Sequence, residues 1–376
     1  MIPRFIKNQV VKALAPGRVV GIFGPRRSGK TVLMQTIREE LREEKILFVN
    51  GDNLEAAEAL SSQKLNILSK FVGRYDYLFV DEAQVISRIG MNLKLLVDHF
   101  SKLCVLVSGS SSFDLRHQIG EPLVGRTRYF HLYPLSLLEL APLKDYLHLQ
   151  DMIETQLIYG SYPQVYSADI LEDKRQILES IRDGYLLKDI LQLDNLKDSL
   201  FVFQLLRLVA FQIGNDISYT ELANNLSVNK KTVMRYLELL EKSFVVFPLY
   251  GFSRNLRKEY TKTPRYFFWD NGIRNAVIAN YNRLIQRDDV GKLWENFCIV
   301  ERIKKTMYKN IYSNRYFWRT YDQKEIDYLE ERGGKLYGFE FKWREKKVKP
   351  PDDFLTTYSN SSFEVIHREN FLEFVS

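Results

Sequence analysis

Short apolar runs alternate with amphipathic stretches along the first third of this chain. Arg18 to Phe23 is rich in β-branched residues, and Thr31 to Glu44 then has helical spacing. Ile46 to Val49, Tyr77 to Val80, Leu103 to Val107 and Tyr129 to Leu132 are further apolar runs of strand length. Strands separated by helical stretches predict a parallel sheet covered on both faces, an α/β core. From about Leu135 to Leu208 the pattern is mostly helical, broken at Gly160-Ser161-Tyr162-Pro163. Two short helices follow, then strand-like runs at Phe244 to Tyr250 and Arg265 to Trp269. Beyond about Asp288 a helix over Leu293 to Lys305 precedes strand-like runs at Tyr316 to Thr320, Glu325 to Glu330 and Leu336 to Trp343. No internal repeat and no low-complexity tract interrupts this order.

The chain has 376 residues, enough for two or three domains, and its 24 Phe and 22 Tyr supply material for several cores. No apolar stretch approaches 18 residues, which argues against a transmembrane helix. Met1 to Ala13 is amphipathic, carries Arg4, Lys7 and Lys12, and lacks the apolar block of a signal peptide. Cys104 and Cys298 lie in apolar runs and read as reduced core residues of a cytoplasmic protein. The net charge of +7 is unevenly spread. Residues 151–228 carry 6 basic and 12 acidic side chains, whereas residues 229–265 carry 9 basic and 3 acidic. A basic block of this kind is the footprint of a polyanion partner, or a solvated face.

The first chemistry-bearing motif is Gly24-Pro25-Arg26-Arg27-Ser28-Gly29-Lys30-Thr31, a complete G-x-x-x-x-G-K-[ST] between a strand and a helix. Its glycines let backbone N–H groups curl around phosphate oxygens, and the helix N-terminus adds partial positive charge. Lys30 is expected to reach the β and γ phosphates of ATP, and Thr31 to ligate Mg²⁺. Tyr77-Leu78-Phe79-Val80-Asp81-Glu82 adds a buried strand ending in two carboxylates. Asp81 is expected to hold the magnesium through its water, and Glu82 to orient or deprotonate the attacking water. In Ser108-Gly109-Ser110-Ser111-Ser112, Ser108, with Ser110 next, is expected to report the γ-phosphate, or the run is a plain turn. Arg126, in Gly125-Arg126-Thr127-Arg128, is the candidate for a cation reaching a neighbouring subunit's nucleotide, with a structural salt bridge as the alternative.

The stretch from Arg18 to Pro134, with GPRRSGKT, LFVDEAQ, VSGSSS and VGRTRYFHLYPLSLLEL, resembles the AAA+ ATPase core of the archaeal-ATPase-like family. The resemblance continues through Tyr159 to Pro163 and Tyr185-Leu186-Leu187-Lys188-Asp189-Ile190. It implies the AAA+ fold, ATP and Mg²⁺, and a C-terminal domain of poorly defined function.

Tyr219 to Leu226, a turn at Ser227-Val228, and Asn229 to Lys242 form a helix-turn-helix pattern. Val233, Tyr236, Leu237 and Leu240 mark the inner face of the second helix. Lys230, Lys231 and Arg235 fall early on it, where a recognition helix meets DNA. Phe244 to Tyr250 and Arg265 to Trp269 would make the wing, with Arg254, Arg257, Lys258 and Lys262 between them for phosphate contacts. A winged helix used for domain packing is the alternative.

Near the C-terminus Asp327 sits in one strand-like run and Glu340-Phe341-Lys342 in the next, joined through Gly333-Gly334. Residues two apart on a strand share a face, so Glu340 and Lys342 point together while Phe339, Phe341 and Trp343 pack opposite. Asp327 and Glu340, with Glu295 from the preceding helix, could ligate Mg²⁺ or Mn²⁺, and Lys342 could steady the attacking water. The pattern resembles the D…ExK restriction-endonuclease-like fold, to which the C-terminal domain of the same ATPase family has been likened. A surface hairpin, or a DNA-binding platform without cleavage, are the alternatives.

The resulting expectation is an α/β protein in three parts. Residues 1–150 form a P-loop AAA+ domain, 151–285 a helical and winged-helix domain, and 286–376 a small nuclease-like α/β domain. Its function is ATP hydrolysis coupled to action on DNA. The alternative is a nucleotide-dependent switch that binds or remodels a protein partner. A homo-oligomer fits either reading, and a membrane partner is not expected.

Overall fold

A computed structural model of the chain describes residues 2–110, 119–120, 122–143, 146–186, 199–253, 263–320 and 323–376. Ser111 and Ser112, Leu187 to Ile190, and Arg254, Arg257, Lys258 and Lys262 lie outside the described residues. The chain divides into two compact units, Met1–Pro134 and Leu135–Ser376.

The first unit is built on a five-stranded sheet, β1 (Val19–Phe23), β2 (Ile46–Asn50), β3 (Tyr77–Asp81), β4 (Cys104–Gly109) and β5 (Thr127–His131). Its spatial order is β2-β3-β4-β1-β5, with every pairing parallel. Helices α1 (Lys7–Ala13), α2 (Lys30–Glu40), α3 (Leu54–Ser61), α4 (Leu65–Val72) and α5 (Ile89–His99) accompany it. Every residue of β1 and β4 is buried, which explains why these strands read as unbroken apolar runs instead of alternating ones. The strand order separates β1, which feeds the phosphate loop, from β3, which ends in Asp81. β4 lies between them and delivers Ser108 into the gap.

The second unit begins with α6 (Leu137–Leu140), whose Ser136 and Glu139 form a buried capping box. Four helices follow: α7 (Tyr146–Tyr159), α8 (Pro163–Ser167), α9 (Leu171–Ile181) and α10 (Ser199–Phe211). Next come α11 (Tyr219–Asn225) and α12 (Lys230–Lys242), the expected helix-turn-helix pair. Asn229 caps α12 by accepting from Thr232 N at 2.8 Å. Val233, Tyr236, Leu237 and Leu240 are buried as the spacing predicts.

Six strands complete this unit: β6 (Val246–Gly251), β7 (Arg265–Phe268), β8 (Asn314–Arg319), β9 (Glu325–Arg332), β10 (Lys335–Phe341) and β11 (Ser361–Ile366). The remaining helices are α13 (Asn271–Ile278), α14 (Val290–Tyr308), α15 (Asp352–Thr357) and α16 (Phe371–Val375). β6 and β7 pair antiparallel, as a wing would. The end of β6 then runs parallel to β8, pairing Tyr250 with Tyr316 and Gly251 with Phe317. One sheet of order β11-β10-β9-β8-β6-β7 therefore carries both the pair expected as a wing and the strands expected as a nuclease-like domain. The break expected near residue 285 is bridged by this sheet, and a single large core holds Leu205, Val233, Phe267, Trp294 and Phe341 together. β11, which the apolar pattern does not reveal, pairs parallel with β10.

Candidate functional site

The phosphate loop leaves β1 at Gly24, where a Cβ would sit 2.0 Å from the Leu132 carbonyl oxygen, so only glycine fits. Gly29, at φ +98°, turns the chain into α2 through a conformation that side chains disfavour. Lys30 is buried, and its Nζ donates to the carbonyls of Gly24 (2.9 Å) and Pro25 (3.0 Å). The ammonium is thereby held inside the concavity of its own loop. Ser28 is buried there as well, and its Oγ has no hydrogen-bond partner. Arg26 and Arg27 are exposed on the loop's outer side.

Thr31 Oγ1 donates to Asp81 Oδ2 at 2.6 Å, which joins the first turn of α2 to the end of β3. The other Asp81 oxygen accepts from the Ser108 hydroxyl and, at 3.2 Å, from Glu82 N. Ser108, expected to face a phosphate, is fully buried and is spent on Asp81 and on Glu82 N. Glu82 adopts a left-handed backbone (φ 51°, ψ 43°), an uncommon state for a residue with a side chain. Its carboxylate accepts from Gln84 Nε2 at 2.5 Å, and the same amide donates to Ser110 Oγ at 3.1 Å. Arg126 is half exposed and pairs with Asp98 of the same unit.

Two residues of this site have no role assigned by the sequence motifs. Gln84 stands in plain view in LFVDEAQ, two positions beyond the acid it tethers. Arg4 carries no signal beyond its charge. Its guanidinium donates to Ser28 O at 2.6 Å and to Tyr133 O at 2.5 Å, tying the phosphate loop to the chain beyond β5.

A separate cluster lies in the second unit. The antiparallel register that pairs Phe339 with Tyr328 brings Glu340 alongside Asp327. Asp327 Oδ2 accepts from Phe341 N at 2.9 Å, and Lys342 Nζ donates to Glu340 Oε1 at 2.6 Å. Glu295, on α14, accepts from Lys292 Nζ at 3.0 Å, and Lys292 also reaches Gly214 O at 3.2 Å. Glu340 Oε2 and Glu295 Oε1 are buried without partners. Burial and the Asp327 charge push Glu295 up to about 8 against the pull of Lys292. Burial also raises Asp327, opposed by the Phe341 N–H and Lys342, and it raises Glu340 together with the Asp327 charge. For Lys342 burial works against the cation, but the surrounding carboxylates outweigh it and raise the amine.

Among the described residues no group of three or more His, Cys, Asp or Glu is placed to hold an ion, and Glu295, expected as an extra ligand beside Asp327 and Glu340, accepts from Lys292. What remains is a pair of carboxylates, Asp327 and Glu340, with Lys342. Phe339 and Phe341 pack on the opposite face against Phe374, as the strand period predicts. Lys230, Lys231 and Arg235 are exposed along α12.

Residues 16–141 match the family model described as an AAA domain. The first unit is thus similar to an AAA domain over most of its length. Residues 150–284 and 290–367 match two domains of unknown function, DUF8612 and DUF4143. This succession is consistent with the resemblance to archaeal-ATPase-like AAA+ proteins that the motifs imply. An uncharacterized protein of Mycobacterium tuberculosis is 28% identical over 339 residues, 88% of this chain and 71% of that protein. One from Haemophilus influenzae is 27% identical over 346 residues, 84% of this chain and 80% of its own length. The chromosomal replication initiator protein DnaA 2 of Chlamydia caviae is 29% identical over 157 residues, 39% of this chain and 34% of that protein. Among the described residues no helix is long and apolar enough to cross a membrane.

Proposed function

We propose that the AAA domain binds and hydrolyses ATP, and that turnover governs how the second unit engages DNA. The observation that carries the first half is the convergence of Lys30, Thr31, Asp81 and Glu82 from two segments 50 residues apart. The site fits the substrate chemically: a caged ammonium and an unpartnered Ser28 hydroxyl line the loop. Lys30 supplies the cation for the terminal phosphates. Thr31 and Asp81 are the hard oxygen donors that would hold Mg²⁺, which when bound neutralises developing phosphate charge. Glu82 is the base for the attacking water, with Gln84 fixing its carboxylate and Ser108 fixing Asp81. Water attack on the γ-phosphorus breaks the bond to the β-phosphate oxygen and yields ADP and inorganic phosphate.

The DNA half is supported by the exposed cations on α12 and by the basic block at residues 229–265. The name of the Chlamydia caviae relative, a chromosomal replication initiator, accords with it. The deciding assay is the ATPase rate with and without DNA. Stimulation or suppression by DNA is expected, and a rate indifferent to saturating DNA removes the coupling.

One observation favours a second activity. Glu340 Oε2 is buried, unpartnered and beside Asp327, the donor set of a divalent-cation site, and Lys342 is within reach of water there. This reading gives the second unit metal-dependent phosphodiester hydrolysis. Plasmid nicking that requires Mn²⁺ and is lost in Lys342→Ala supports it. No nicking with any divalent ion removes this activity.

A further inference from the structure

Residues 342–349 read Lys-Trp-Arg-Glu-Lys-Lys-Val-Lys, five cations against one acid. They form no helix or strand and leave β10 directly at the Asp327–Glu340–Lys342 cluster. Arg344, Lys346, Lys347 and Lys349 are exposed, and among the described residues none of the four is in an ion pair. Five buried cations of this unit, Arg265, Arg274, Arg287, Arg302 and Lys304, all bond carboxylates. The strap instead places four exposed cations in six consecutive residues beside buried carboxylates.

The root of this strap is fixed. Lys342 N donates to Ile366 O at 3.0 Å. Trp343 packs edge-on against the buried Trp294, with ring centroids 5.4 Å apart, and Arg368 lies 5.4 Å above its ring. The far end runs through Pro350-Pro351 into α15, whose Phe354 is fully buried. Such a segment holds its cations at limited separations without the entropy of a free tail.

We propose that the 342–349 strap is a docking surface for the phosphodiester backbone of DNA, guiding one strand past the Asp327–Glu340–Lys342 cluster. The inference rests on the DNA reading of the second unit and names the part of that unit that takes the backbone. Eight residues span at most about 28 Å, the rise of roughly eight nucleotides along one strand of duplex. An acidic membrane surface is the competing polyanion. It is disfavoured because the strap's only apolar side chains are Trp343 and Val348, both half-buried, which leaves nothing to insert among lipids.

The test uses the full chain and three proteins: wild type, a strap variant (Arg344→Gln, Lys346→Gln, Lys347→Gln, Lys349→Gln) and an α12 variant (Lys230→Gln, Lys231→Gln, Arg235→Gln). Binding to a labelled 20-base-pair duplex is measured by anisotropy across a salt titration, beside co-sedimentation with phosphatidylserine vesicles. The strap variant should bind at least tenfold more weakly. Its salt slope should fall by up to about 3.6, at about 0.9 for each of four phosphates no longer neutralised. ATP turnover without DNA and the melting temperature should stay at wild-type values, since all four side chains are exposed. A strap variant equal to wild type in affinity and slope overturns the strap while leaving the DNA reading intact. A wild type that ignores DNA, with or without vesicle binding, overturns both.

Discussion

Thr31 Oγ1 and Asp81 Oδ2 are joined by a 2.6 Å hydrogen bond, so the start of α2 and the end of β3 share one polar centre. Because β4 separates β1 from β3, that bond crosses the gap between non-neighbouring strands. Ser108 closes the gap from below by donating to the other oxygen of Asp81. The carboxylate is thus held by hydroxyls from α2 and β4 on its two oxygens.

Lys30→Ala should weaken ATP affinity by roughly 10- to 100-fold, the worth of about 1.5–3 kcal/mol for a hydrogen bond to a charged group. Glu82→Gln should bind ATP as wild type does while turnover falls about 100-fold or more, the usual contribution of a general base. Equilibrium binding of a fluorescent ATP analogue and phosphate release separate the two effects. Wild-type turnover in both variants would remove the assignment.

Arg4→Ala should raise the Kd for ATP about tenfold by releasing two charge-assisted hydrogen bonds, to Ser28 O and Tyr133 O, that position the loop. Turnover at saturating ATP should change far less, because Arg4 touches none of the groups that act on water. A loss in kcat with an unchanged Kd would contradict this role.

Reversing the charge at Lys230, Lys231 and Arg235 should weaken DNA binding and reduce its salt slope by roughly 0.9 for each phosphate that the helix ceases to neutralise. Anisotropy titrations between low and moderate salt read both quantities. Unchanged binding would make the helix-turn-helix a packing element, its neighbour in the sheet notwithstanding.

Burial pushes the Glu241 carboxyl up to about 7, partly offset by the hydrogen bond from Tyr266 and reinforced by the charge of Glu238. A folded-state pKa above the unfolded value means that the native protein holds the proton more tightly. Its contribution is therefore complete below about 4.5 and is lost as pH rises toward about 7. Glu241→Gln keeps an acceptor for Tyr266 and removes the charge. The variant should melt at the wild-type temperature near pH 4.5 and a few degrees higher near pH 8. Parallel melting curves across that range would show that Glu241 titrates normally.

The nucleotide site was legible where its residues are contiguous. Gly24 to Thr31 is one turn, and Asp81-Glu82 ends one strand, so local spacing sufficed. Ser108 was found by position, and its contacts with Asp81 and Glu82 N were not legible, because they depend on β4 lying between β1 and β3. Arg4 was invisible, since nothing in an amphipathic N-terminus says which carbonyls its guanidinium will reach. Glu340 and Lys342 were placed on one face by the strand period alone. The Lys292 contact of Glu295 was not legible, because it depends on a lysine that also reaches Gly214 O from a distant segment.

The sequence by itself determined an α/β core with a complete phosphate-binding loop, a helix-turn-helix pair and a strand pair carrying Asp327 and Glu340. Each is encoded within a few residues by backbone freedom, capping and apolar period. Only the tertiary structure decided that the β6–β7 pair continues the sheet of β8 to β11 through Tyr250 and Tyr316. It likewise decided which carboxylates keep a bare oxygen and which are taken by lysines. Those outcomes depend on pairings between distant segments, where many partners satisfy the same local pattern and the packed core selects one.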